Sequence, residues 1–104
     1  MKTPARPFLW RTQDGQSYTP AQMRTSHLFY TVRMIFNHTA PACYRIPGCK
    51  RYALKMEPEY LRAAVLAMVN ELKERPCQDL TAGQWEELLH IATVSRELYD
   101  SRLN

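Results

Sequence analysis

Long hydrophobic runs are missing from this 104-residue chain. No apolar stretch approaches the roughly 18 residues needed to cross a bilayer, so a membrane partner is not expected. Glycine is scarce, with three in the whole chain, and neither a Gly-rich phosphate loop nor a nucleophile elbow can be assembled from them. The basic opening Met1-Lys2-Thr3-Pro4-Ala5-Arg6-Pro7 leads into no apolar core of a secretory signal, so a cytoplasmic protein is expected. Cys43, Cys49 and Cys77 make an odd count, which suits free thiols in a reducing compartment. A Cys43–Cys49 bridge across a tight turn stays open as the alternative.

Acidic residues are missing from Gly15 through Met56. Residues 1–56 carry nine Lys/Arg against Asp14 alone, a net of +8. Residues 57–104 carry five against nine, a net of −4. This asymmetry points to a polyanion or an acidic protein surface as partner, unless the two halves neutralise each other.

What is present is a normal apolar share, 45% of residues, enough for one compact domain over 1–104. Residues 1–7 read as a flexible basic arm. Residues 8–18 read as a hairpin, because Asp14-Gly15 is a two-residue turn signal between Phe8-Leu9-Trp10-Arg11-Thr12 and Gln16-Ser17-Tyr18. Thr19-Pro20-Ala21-Gln22 is a capping box with proline at the first helical position, which opens a first helix over 20–38. A second start signal at Thr25 or Ser26 allows the first turn to stand apart.

At about 100° per residue, Leu28, Phe29, Val32, Ile35 and Phe36 form the core arc of that helix. Met23, Tyr30 and Met34 form an opposite apolar face, with His27 and Arg33 at its edges. The connection 39–57 contains Pro41, Pro47 and Gly48, and Pro47-Gly48 fits the centre of a type II turn. Around it, Cys43-Tyr44-Arg45-Ile46 and Cys49-Lys50-Arg51-Tyr52 are expected to form a basic loop or a second hairpin.

A second helix is predicted over 58–74, with one stripe of Leu61, Ala64, Val65, Met68, Val69 and Leu72. The residue before Pro76 marks its stop. A third helix is predicted over 81–101, capped by Thr81 and Gln84 with Leu80 stapled onto Trp85. Its core face reads as Trp85, Leu88, Leu89, Ala92, Ser95 and Tyr99, leaving Ile91, Val94 and Leu98 as a surplus flank. The expected fold is therefore α+β and mostly helical, an N-terminal hairpin packed on three helices.

Little in the pattern points to catalysis. His38, Cys43 and Cys49 cluster, but no further ligand completes a zinc spacing, so no metal or other cofactor is expected. Glu86-Glu87 sits where carboxylates favour the positive end of a helix. An enzyme is not expected. Binding is: Arg45, Lys50 and Arg51 interleaved with Tyr44 and Tyr52 suit either phosphates and bases or an acidic protein. His27, Tyr30, Arg33 and Met34 add the residue types that anchor protein interfaces. A protein partner is the leading expectation, nucleic acid the second, and a homodimer is also open.

The stretch Trp10-Arg11-Thr12-Gln13-Asp14-Gly15, with Met23, Thr25 and His27-Leu28 beyond it, resembles small accessory proteins of tailed phages and prophages. The similarity covers about a quarter of the chain. It implies a protein of the bacterial cytoplasm that docks on a host or phage enzyme, often a nucleic-acid-processing or defence enzyme, and inhibits or redirects it. It assigns a role to no individual residue.

Overall fold

The computed structural model describes residues 8–12, 14–48 and 54–100, with residues 99 and 100 described in the backbone alone. A two-stranded antiparallel hairpin, β1 (Trp10–Arg11) and β2 (Ser17–Tyr18), is followed by α1 (Thr25–Thr39), α2 (Pro58–Lys73) and α3 (Ala82–Asp100). The architecture is the expected α+β, mostly helical one. The predicted arm 1–7 and part of the connection, residues 49–53, lie outside the described residues.

The hairpin pairs Trp10 with Tyr18 and Arg11 with Ser17. Its turn differs from the two-residue reading. Gly15 has a positive φ, +86°, while Asp14 does not. The Gly15 amide donates to the Thr12 carbonyl at 3.1 Å, and the Thr12 amide donates to Gln16 at 2.8 Å. A two-residue type I′ turn needs both central positions left-handed, so Asp14-Gly15 does not form one.

So short a ribbon is marginal alone, and Tyr60 of α2 holds it. The Tyr60 hydroxyl donates to the Leu9 carbonyl at 2.6 Å and accepts from the Arg11 amide at 3.0 Å. Its ring stacks on Trp10, with centroids 5.8 Å apart.

The first helical segment breaks in two. Pro20–Gln22 makes a single 3-10 turn, Met23 is extended at φ −88° and ψ 144°, and α1 starts afresh at Thr25. The cause lies 50 residues on, in the Arg75 guanidinium. It donates to the Pro20 carbonyl at 3.0 Å and to the Thr25 hydroxyl at 3.0 Å, and pairs with Glu71 at 3.1 Å. The Pro20 carbonyl, which would have continued the helix, is thus satisfied from just beyond the end of α2. Met23, expected on an outer face, is buried in this break.

The second hairpin does not form on its first arm. Ala42–Tyr44 winds into a 3-10 turn, with the Tyr44 amide on Pro41 at 2.9 Å. Ile46 has no backbone groups left for a strand, because Asn37 takes both. Its side-chain amide donates to the Ile46 carbonyl at 2.9 Å, and its oxygen accepts the Ile46 amide at 2.7 Å. Gly48 has φ +78°, as the type II turn requires.

The core is shared by the three helices. Leu28, Phe29, Val32, Ile35 and Phe36 of α1 are all buried, as are Leu61, Ala64, Val65, Met68, Val69 and Leu72 of α2. On α3 the phase is shifted from the expected one. Leu88, Ile91 and Val94 are buried, Trp85 and Ala92 only partly, and Leu89 is 62% exposed. Thus Ile91 and Val94, expected to be surplus, are core, and Leu89, expected in the core, faces solvent. The Tyr99 side chain lies outside the described residues.

Two bonds explain the rotation. The Trp85 indole donates to the Cys77 carbonyl at 2.6 Å, drawing the ring toward the α2–α3 connection. Glu87 reaches toward α1 to pair with Arg33. The cap itself forms as read: the Gln84 amide donates to the Thr81 hydroxyl at 3.1 Å, and the Thr81 amide to the Gln84 side chain at 2.9 Å.

Candidate partner-binding surface along α1 and α3

Three side-chain bridges cross from α3 to the α1 side, at a spacing of three residues along α3. Gln84 donates from Nε2 to the Tyr30 hydroxyl at 3.3 Å. Glu87 pairs with Arg33, Oε1 to Nε, at 2.9 Å. His90 Nε2 lies 2.7 Å from the Tyr44 carbonyl. A carbonyl only accepts, so Nε2 carries the proton there. The spacing keeps all three on one edge of α3.

The exposed rings stand along this seam. Tyr30 is 54% exposed, with its ring edge-on to Phe29 at 5.2 Å. Tyr44 is exposed where the connection passes α3, and His90 lies edge-on to Phe36 at 5.7 Å. The Tyr30 ring is held by Phe29 and Gln84 and the His90 ring by Phe36 and the Tyr44 carbonyl, so these two have little rotamer freedom left to lose on binding.

Of the residues singled out from the sequence, Tyr30, Arg33 and Tyr44 belong to this seam. His27 is exposed on α1, near its start. Met34 is partly exposed and packs against the core. Arg45 is half-buried, and its Nε donates to the Ala40 carbonyl at 3.1 Å, bracing the connection instead of projecting from a tip. Lys50, Arg51 and Tyr52 lie outside the described residues. The residues missed are Gln84, Glu87 and His90. Their only signal in the sequence is the three-residue spacing, which has meaning once the phase of α3 is known.

Two concavities lie elsewhere. One, of about 580 Å³, runs between α2 and α3 past Leu66, Val69, Trp85 and Leu89, with Lys73 and Arg96 at its rim. The Ser95 hydroxyl lines it, buried and with no hydrogen-bond partner among the described residues. Among the described residues no imidazole or thiol lines this groove to activate that hydroxyl. The other, of about 610 Å³, lies between the hairpin turn and the start of α1, lined by Asp14, Tyr18, Arg24 and His27. The Asp14 carboxyl titrates below its ordinary range. The Thr12 hydroxyl bonded to it is the main cause, and the Gln16 amide at 3.4 Å adds to it.

Among the described residues no three His, Cys, Asp or Glu side chains gather as a metal site would need. Cys43 and Cys77 are free and exposed. No described helix is long and apolar enough to cross a membrane. Set against family models, curated proteins and solved structures, the chain matches none.

Proposed function

We propose that this chain is a small accessory protein that docks on another protein through the α1–α3 seam and inhibits or redirects it. The observation that carries the reading is Tyr30. A ring more than half exposed, yet held by Phe29 and Gln84, is a pre-organised amphipathic anchor. Beside it the Arg33–Glu87 pair offers charge of both signs, which gives orientation and selectivity.

Three of the arginines also favour a protein over nucleic acid. Phosphate contacts need free cationic donors. Arg33 is engaged with Glu87, Arg45 with the Ala40 carbonyl, and Arg75 with Glu71, Thr25 and Pro20. The target class comes from the resemblance to phage accessory proteins: a host or phage enzyme of the bacterial cytoplasm with an acidic or nucleic-acid-binding surface. A nucleic-acid-binding regulator is the second reading. The net of +8 over residues 1–56 favours it, and it would use Lys50, Arg51 and Tyr52.

Affinity capture from a bacterial lysate, with and without nuclease, separates the two. Capture of a discrete protein that survives nuclease is the expected result. Capture that disappears with nuclease overturns the leading reading in favour of the second.

A further inference from the structure

The solvent side of α3 carries a narrow stripe. Ala82, Glu86, Leu89, Thr93 and Arg96 are all exposed and alternate at spacings of four and three. At about 100° per residue they fall within one quarter of the helix circumference, with the four-three spacing of a helix-packing seam but a largely polar composition around Ala82 and Leu89. Leu89, 62% exposed, stands at its middle. It borders the groove of about 580 Å³ between α2 and α3, and small residues, Ala92 and Thr93, lie one turn further along.

The charges on the stripe are ordered. Glu86 lies toward the N-terminal end and Arg96 toward the C-terminal end, and neither has an ion pair among the described residues. An antiparallel copy of the same helix, centred near Ile91, brings Glu86 opposite Arg96 of the other copy and Leu89 opposite Thr93. A two-fold axis makes each contact twice. A parallel copy in register instead sets Glu86 against Glu86 and Arg96 against Arg96, which repels. The stripe is thus complementary to itself in one orientation only.

We infer that the occupant of this face is a second copy of the chain, bound through α3 in antiparallel fashion with each Leu89 entering the other copy's α2–α3 groove. The three bridges of the α1–α3 seam lie on other positions of α3, so this contact leaves Tyr30 and its neighbours free for a different partner. The inference therefore does not rest on the function proposed above. Helices touching over about three turns bury a modest area, so the dimer is concentration-dependent. The exposed ion pairs set its orientation more than its strength.

Sedimentation of the full chain over a concentration series tests this. The expected mass rises from that of the 12.2 kDa monomer toward twice that value, and less steeply at high salt. Glu86→Arg sets arginine against arginine at both ends and shifts dimerisation to higher concentration with unchanged helix content. Glu86→Arg combined with Arg96→Glu restores complementarity and recovers the dimer. Leu89→Asp abolishes it. A wild-type protein that stays monomeric at its highest soluble concentration overturns the inference. So does a dimer that Glu86→Arg leaves intact, or a double exchange that fails to rescue while folding normally.

Discussion

Asn37 is 2% exposed inside α1, and both ends of its side-chain amide are spent on Ile46. A buried amide bonded twice to backbone fixes a loop as a strand partner would, without needing a strand. Asn37→Leu leaves the Ile46 amide and carbonyl unpaired. It should cost about 1–3 kcal/mol in urea unfolding, with faster amide exchange confined to residues 40–48. Unchanged exchange there would show that the connection is held by something else. Asp14 is the counterpart at the hairpin turn. Its carboxyl is held below the ordinary range, so its contribution to the turn is present above that range and is lost as pH falls through the lowered value. Thr12→Val removes the main cause, and NMR titration should place Asp14 closer to an ordinary carboxylate. Neither contact was legible beforehand. Asn37 lies among the polar positions between two core residues, and only the return of the chain at Ile46 gives it a role.

Among the elements, α3 separates what local chemistry decides from what packing decides. Its start was legible because a capping box is written in four consecutive residues, Thr81 to Gln84. Thr81→Ala should accordingly lower stability by about 1 kcal/mol. Its rotation was not legible. The chain carries Trp85, Leu88, Leu89, Ile91, Ala92, Val94 and Leu98, apolar around more than half the wheel, so periodicity alone leaves the phase open. The Trp85 bond to Cys77 and the Glu87 pair with Arg33 select it, and both depend on distant parts of the chain. Ile91→Ala should cost about 2–5 kcal/mol as a buried truncation. Leu89→Ala, measured in dilute solution, should stay within about 0.5 kcal/mol. The reverse order would restore the rotation first read from the sequence. By contrast α2 has a single stripe with polar residues opposite it, and all six of its expected core residues are buried.

At the scale of the whole molecule, a hairpin on three helices follows from turn chemistry, caps and period, each local. The candidate surface follows from none of these. Tyr30, Arg33 and Tyr44 were legible as residue types suited to interfaces, but their partners Gln84, Glu87 and His90 lie more than 45 residues away in sequence. The basic half is less available than its composition implies, since Arg33 and Arg45 are used to hold the fold. In the function proposed above, the excess of positive charge would steer encounter and the exposed rings would supply the anchor.

The most direct test of that claim is quantitative capture from nuclease-treated bacterial lysate, comparing the wild-type chain with Tyr30→Ala. Both variants should share one thermal midpoint, because the ring is already more than half exposed. The account predicts that a discrete protein retained by the wild type is depleted about 30-fold or more by the variant, as for an interface anchor worth about 2 kcal/mol. Equal recovery by the two variants would contradict it.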